Sequence, residues 1–294
     1  MSDYVIVTDS VLDLDESWFL ENNVVWVPLS FTLEGYPAID DDFGKTIPLP
    51  QFYQLLRDGK SVTTSQGTVG HFTEAFERIL KQGKDIVYVG FSSALSGSYH
   101  SACVAKKDLQ PLYPKRNIYC IDTKSAAGGQ TMVVREAVKC HQEGMPADVL
   151  VQHIEALCPH ILHWFTVDDL FYLHRGGRVS KSAAVMGSLV GIKPVLYVDE
   201  EGRLIPYKKV RGRKKSLEEL ANQLKLHIDS TQTQRYQICI SHGDCLDDAE
   251  YLRTYLCKII GATDVYIHIL DTVIGAHAGP GTIALFFYGD KRNS

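Results

Sequence analysis

Along the first half of the chain, short β-rich apolar runs alternate with stretches in which apolar residues recur at helical spacing. Residues 4–8 (Tyr-Val-Ile-Val-Thr), 24–31, 86–91 and 118–121 are runs of strand length, and the spacing between them predicts helices at 16–20, 49–56, 69–80, 98–107 and 131–141. In the third of these helices Phe72, Ala75, Phe76, Ile79 and Leu80 share one face and leave Glu74, Glu77, Arg78 and Lys81 outward. Alternation of this kind is the sequence form of crossover units, so it predicts a parallel sheet covered by helices.

From about residue 162 the rhythm changes. Residues 163–167, 193–198 and 203–210 read as strands, the last two joined by the turn Asp199-Glu-Glu-Gly202, which predicts an antiparallel hairpin. Further strands at 236–241, 265–270 and 283–288 enclose helices at 216–228 and 246–260. The expected architecture is α/β: an N-terminal parallel-sheet α/β/α domain over residues 1–161 and a C-terminal mixed-sheet α/β domain over 162–294. With no repeat or long polar linker, the two should pack closely around a cleft.

Composition narrows the functional classes. A chain of 294 residues, 45% hydrophobic, is large enough for two domains. Thirty Lys and Arg against 35 Asp and Glu give a net charge of -5, which argues against a general electrostatic grip on nucleic acid and leaves at most transient membrane contact. The seven cysteines are odd in number, contain no C-x-x-C pair and sit mostly in apolar runs, so they read as reduced thiols of a cytoplasmic protein. The first residues carry no basic-then-apolar leader, and the apolar stretch 183–192 is too short to cross a bilayer.

The chemistry gathers where strands end. Ser10 follows the first strand, Ser93, Ser96 and Gly97 the third and Ser125 the fourth, while Thr64 and Ser65 precede a helix. In an open α/β sheet such carboxyl ends converge on one crevice, and hydroxyls with helix N-termini make a neutral, donor-rich anion cradle. Each hydroxyl alone is equally an ordinary helix cap. The chain has no phosphate loop, dinucleotide turn, nucleophile elbow or zinc helix. His160 and His163 lack a ligand-spaced partner, so no metal is expected.

Three other segments stand out. His277 lies among glycines in Gly275-Ala-His-Ala-Gly-Pro-Gly-Thr282, either in a tight loop or as a donor to an oxyanion. Residues 173–180 read as a turn carrying Arg175 and Arg178. Residues 208–215 hold six cations, of which Arg211 and Arg213 suit phosphate or carboxylate because a guanidinium binds them through two parallel hydrogen bonds.

Read in order, these loops resemble the DegV family of bacterial lipid-binding proteins, which includes the fatty-acid-binding subunit of fatty acid kinase. The resemblance runs from Val5-Ile-Val-Thr-Asp9-Ser10 through Thr64-Ser65-Gln66, Ser92-Ser-Ala-Leu-Ser96-Gly97, Asp122-Thr-Lys-Ser125, Leu173-His-Arg-Gly-Gly-Arg-Val-Ser180, Gly191-Ile-Lys-Pro-Val-Leu196 and Lys209-Val-Arg-Gly-Arg-Lys214 to the His277 segment. It implies a long-chain fatty acid near the domain interface, its carboxylate held by Thr64, Ser65, Ser96, Gly97 and His277, with Ser10, Ser93 and Ser125 behind them. The dipole of the helix starting near Val69 would help neutralise the charge. It further implies a non-catalytic carrier without a cofactor, active in phospholipid metabolism. The carrier would present the carboxylate to a separate ATP-dependent fatty acid kinase, with Arg211 and Arg213 as the partner or phosphate contact. Gly67, Ser98, Ala127 and Thr131 depart from the family's usual residues. Two other classes stay open: an acyl hydrolase or transferase using Ser96 and His277, and a regulatory protein acting through 208–215.

Overall fold

The computed structural model describes residues 4–180, 191–229 and 237–292. Most of the apolar stretch 183–192, and Tyr236 of the expected strand 236–241, lie outside the described residues.

Four parallel strands form the first sheet in the order β2 (Val25–Val27), β1 (Tyr4–Asp9), β6 (Asp85–Gly90), β7 (Ile118–Asp122). The second sheet is mixed, in the order β10 (Leu204–Arg211), β9 (Ile192–Val198), β8 (Ile161–Thr166), β13 (Ile283–Tyr288), β11 (Ile238–His242), β12 (Val265–Ile269). Its neighbours are antiparallel except β11 and β12, and the β9–β10 hairpin closes through the predicted turn, where Gly202 N donates to Asp199 O at 3.0 Å. A small antiparallel sheet, β4 (Ala38–Asp40), β3 (Ser30–Leu33) and β5 (Val62–Ser65), completes the strands.

Helices α3 (Val69–Leu80) and α4 (Ser98–Leu109) cover one face of the first sheet, where Phe72 and Phe76 pack on Tyr88. In the second sheet, α8 (Arg213–His227) and α9 (Leu246–Ile260) cover the face presenting Leu162, Trp164, Leu285 and Phe287. Between the sheets lies α5 (Ala127–Gln142), buried almost all round, in contact with β1 and β6 on one side and β8, β11 and β13 on the other. One core therefore runs from Ile6 and Val87 through Val133 to Phe165 and Ala284. Two consecutive glycines let α5 come this close. A Cβ on Gly128 would stand 2.7 Å from the Phe286 ring, and one on Gly129 would stand 2.1 Å from His163 Nε2.

Several elements differ from the sequence pattern for identifiable reasons. The run 24–31 is not one strand, because Pro28 lacks the N–H a ladder needs; β2 stays in the first sheet and β3 leaves it. Residues 62–65, expected as a loop, pair with β3. Helix α6 (Ala147–Leu157) was not anticipated. The segments read as a turn and a glycine-rich loop contain short helices, α7 (Leu170–Arg175) and α10 (Thr272–Ala278). Asp169 caps the first by accepting from Phe171 N, and Asp271 the second by accepting from Val273 N and Ile274 N.

Candidate ligand-binding site

A cavity of about 390 Å³ opens between the two sheets, within the usual range for small-molecule sites. Its apolar wall is drawn from every layer: Leu29 and Phe91 from the first sheet's loops, Phe165, Val198, Ala284 and Phe286 from the second sheet, Leu270 from the approach to α10 and Val273 from its first turn. At one end the lining turns polar. Thr64, Ser65, Gln66, Ser96, Gly97, Arg178 and His277 meet there.

Four separate chain segments build this polar end. Pairing of β5 with β3 sets Thr64 opposite Phe31 and delivers its hydroxyl to His277 Nε2 at 2.7 Å. His277 rides in the last turn of α10, and its Nδ1 is enclosed without a hydrogen-bond partner. It packs against Gly176, where a Cβ would stand 1.9 Å from Nδ1, so only a residue without a side chain lets the α7 turn approach. Burial, with lesser contributions from Arg178 and Arg175, lowers the His277 pKa to about 4. The ring is therefore neutral near pH 7, with one nitrogen donating and the other accepting.

Ser96 lies just before α4, its Oγ 3.0 Å from Ser98 Oγ and accepting from Ser98 N at 3.2 Å. Ser98 Oγ in turn accepts from Gly67 N at 3.0 Å, tying this loop to the segment after Thr64. Arg178 completes the ring. Its Nε and Nη2 donate to Leu95 O at 2.9 and 2.6 Å, so the guanidinium braces the 92–97 loop while placing a positive charge on the cavity wall. Its pKa is lowered by burial. Ser65 and Gln66 are exposed, which puts the polar end at the rim and the apolar wall inside.

The structure thus brings Thr64, Ser65, Ser96, Gly97 and His277 to one end of one cavity. It does not bring the other three hydroxyls there. Ser10 Oγ is buried and accepts from Leu29 N at 3.2 Å, Ser93 is exposed with its hydroxyl on Asp122, and Ser125 donates to Thr123 O at 3.1 Å. Each satisfies a neighbouring loop, as caps and turn residues do. The helix whose amino end reaches the polar rim is α4, through Ser96 and Gly97, while the amino ends of α5 (Ala126, Ala127) and α10 (Val273, Ile274) line the cavity with apolar side chains; α3, which begins at Val69, is closed by Thr68 accepting from His71 N.

Of the two arginines singled out in the basic run, Arg211 is exposed at the end of edge strand β10. Arg213 is spent inside the protein. Its Nε donates to Asp248 Oδ2 at 2.9 Å, Nη2 donates to Gly281 O and Nη1 stands 3.6 Å from Asp168, which leaves no free face for a partner's phosphate. Arg178, which the sequence offered only as part of a turn, is the site residue that pattern reading undervalued. Its signal was a cation directly after two helix-ending glycines.

The Ser96–His277 pair that a hydrolase would need is not joined, since each side chain bonds elsewhere. Among the described residues one group gathers metal-type ligand atoms, Glu136, Cys140 and His153, within 4.8 Å of one another. There His153 Nε2 and Glu136 Oε1 are 3.0 Å apart, linking α6 to α5. No helix among the described residues is long and apolar enough to cross a membrane.

Two sheets sharing one core, with a largely apolar cavity between them that ends in hydroxyls, a neutral imidazole and a guanidinium, define an α/β protein with an amphipathic pocket, apolar within and polar at the rim. Over residues 3–290 the chain matches the model of the family described as "Uncharacterised protein, DegV family", and it belongs to the DegV family. A DegV domain-containing protein of Clostridium perfringens is 39% identical over 292 residues, covering 99% of each chain. Solved structures are similar throughout. The fatty acid binding DegV family protein of Streptococcus agalactiae is 29% identical with a TM-score of 0.84, covering 99% of this chain and 100% of its own. A Thermotoga maritima protein whose structure "reveals fatty acid binding function" is 26% identical with a TM-score of 0.82, at the same coverage.

Proposed function

We propose that this protein is a fatty-acid carrier: it buries the tail of a long-chain fatty acid between its sheets and holds the carboxylate at the rim. The observation that carries the reading is the polarity of the cavity, lined mostly by apolar side chains and ringed at one end by Thr64, Ser96, Arg178 and His277. Burying about 15 methylenes is worth on the order of 12 kcal/mol gross, before association and ordering costs that can take half or more. The carboxylate adds orientation. In the neutral tautomer that carries its proton on Nε2, His277 donates to Thr64 Oγ1, which leaves the Thr64 hydroxyl proton for the ligand; Ser96 and the α4 amino end supply further donors. Arg178 offsets the charge without needing to leave the Leu95 carbonyl.

The finer part of the proposal is that the carboxylate is presented to a separate ATP-dependent kinase that makes the acyl phosphate. Exposure of Ser65 and Gln66 at the rim supports it, because a second protein reaches the head group there without disturbing the tail. Arg211, exposed and outside the cavity lining, is the cation we assign to that contact.

Organic extraction of the purified protein followed by mass spectrometry tests the carrier reading. The expected result is a long-chain fatty acid at close to one per chain, and delipidated protein that gains thermal stability from palmitate or oleate. Absence of both sinks the proposal. For the kinase step, Arg211→Ala is expected to leave palmitate affinity near wild type yet slow acyl-phosphate formation when the cognate kinase and ATP are present. An unchanged rate would mean that the kinase docks elsewhere.

A further inference from the structure

Away from the cavity, α5 and α6 bring a different chemistry together. Ala127 lines the cavity at the amino end of α5, and Glu136 lies roughly 14 Å further along the axis at about 1.5 Å per residue. Glu136 and Cys140 are one turn apart, so their side chains share a face of α5. Helix α6 packs on α5 and contributes His153 to the same place. Cys140 Sγ donates to Glu136 Oε1 at 3.7 Å, and His153 Nε2 stands 3.0 Å from the same oxygen. The three ligand atoms all lie within 4.8 Å of one another. Glu136 and Cys140 are buried, while the His153 side chain is 28% exposed and forms the solvent side of the group.

Buried charges are paired or coordinate metals, and the two side chains bonded to this carboxylate oxygen are a thiol and an imidazole, both metal ligands in their own right. The geometry fits one ion. Tetrahedral zinc holds nitrogen and carboxylate oxygen at about 2.0 to 2.2 Å and sulfur at about 2.3 Å, which sets the N···O and S···O separations at about 3.4 and 3.6 Å. The separations here are 3.0 and 3.7 Å, so movements of a few tenths of an ångström turn a hydrogen-bonded triad into a coordinating one. The donor set selects the metal. Magnesium and calcium take oxygen ligands, whereas one sulfur, one nitrogen and one oxygen suit zinc. Charge also balances: the ion displaces the Cys140 thiol proton to solvent, and a thiolate with a carboxylate neutralises its two positive charges.

We propose that Glu136, Cys140 and His153 bind one zinc ion, with water in the fourth position, and that the ion fastens α6 to α5. The ion enters past the ring of His153, the partly exposed member. Because α5 packs on both sheets, a staple at its carboxyl-terminal half adds to the stability of the whole fold without touching the cavity. The site is independent of the fatty-acid reading.

The test loads full-length, metal-stripped protein, its thiols kept reduced, with cobalt(II) and then with zinc. Cobalt in such a site gives a near-ultraviolet sulfur-to-metal charge-transfer band and the intense visible bands of four-coordination. Both are expected in wild type, saturating at about one ion per chain, abolished by added zinc and untouched by magnesium. Zinc should also raise the melting temperature of the stripped protein. Cys140→Ser is expected to remove the charge-transfer band. His153→Gln should weaken zinc binding by about a hundredfold or more, measured against a chromophoric chelator, since losing a partner merely behind the ligands already costs about 10- to 100-fold. Cys103→Ser is the control: the Cys103 thiol is hydrogen-bonded to Cys120, a separate place where sulfur could take up metal, and this variant should behave as wild type. A wild-type protein that shows no charge-transfer band would overturn the proposal and leave the triad a hydrogen-bonded contact. So would a band that survives Cys140→Ser or disappears with Cys103→Ser. If Cys140→Ser does not fold, the wild-type spectrum with His153→Gln and Cys103→Ser decides.

Discussion

At the scale of single residues, the contact between Thr64 and His277 concentrates the site's chemistry in one 2.7 Å hydrogen bond. Removing a neutral hydrogen bond costs about 0.5 to 1.5 kcal/mol and one to a charged group about 1.5 to 3. Ser96→Ala and His277→Ala are therefore each expected to weaken palmitate binding by roughly tenfold and to leave the matching fatty alcohol almost unaffected. Calorimetric titration with both ligands checks this, and equal losses for acid and alcohol would show that the tail pocket or the fold was damaged. The lowered pKa of His277 makes a second prediction. Its folded value, about 4, lies below the ordinary 6.5, so the unfolded chain binds the proton more readily. The stability this residue contributes is present above about pH 6.5 and lost as the pH falls toward 4. An imidazole NMR signal that titrates near 4 would confirm the neutral form near pH 7, and one titrating near 6.5 would refute it.

Among the elements, α5 and α10 matter most, and both depend on close approach. Helix α5 carries two glycines in its first turn, each weaker than alanine by roughly 0.5 to 1 kcal/mol in a helix interior. Gly129→Ala would recover that amount and lose more, because the new methyl meets the His163 ring; overpacking of this kind typically costs about 1 to 3 kcal/mol. Gly70 is the control. It lies in the exposed first turn of α3, where a Cβ would meet nothing closer than Thr68 Oγ1 at 3.7 Å. Thermal denaturation should show Gly129→Ala less stable than wild type and Gly70→Ala equal or slightly more stable. Arg213 acts on α10 from outside: it holds Gly281 O, just past that helix, to Asp248 on α9. Arg213→Ala is expected to lower the melting temperature and weaken acid binding together, unlike Arg211→Ala.

The whole molecule is held together by polar stitches through the shared core. The Asp13 carboxylate accepts from Ser241 Oγ in the second sheet, its N–H donates to Thr131 on α5 at 3.0 Å, and its carbonyl accepts from Tyr266 at 3.1 Å. Burial pushes the Asp13 pKa up to about 7. Asp271, which caps α10, is likewise pushed up to about 7 by burial and by the nearby Asp13. Their unfolded values are near 3.9. The folded state therefore holds these protons more tightly, and the resulting stability is complete below about pH 4 and lost as the pH rises through 7. An asparagine at position 13 keeps an acceptor for Ser241 and does not ionise. Relative to wild type, Asp13→Asn should gain stability on going from about pH 5 to about pH 8, measured by urea denaturation at each. A difference that does not change with pH would show that Asp13 is ionised throughout.

Much of this protein is written locally. The strand–helix alternation, the Asp199–Gly202 hairpin turn and the helices over 69–80 and 246–260 follow from periodicity and turn chemistry, which act between near neighbours. The family motifs likewise stand in the chain as strings, so Thr64, Ser96 and His277 were legible there. What distance along the chain concealed was decided by tertiary structure. Ser10, Ser93 and Ser125 follow strands just as Ser96 does, yet their side chains satisfy neighbouring loops and Ser96 alone of the four faces the cavity. Arg178 and Arg213 look alike in sequence, but the first lines the cavity while the second is consumed by Asp248 and Gly281. His163 reads as one more apolar-strand histidine until α5, admitted by Gly129, encloses it at the cavity wall. Direction, burial and pairing of a side chain depend on which distant segments pack against it, and no local pattern carries that.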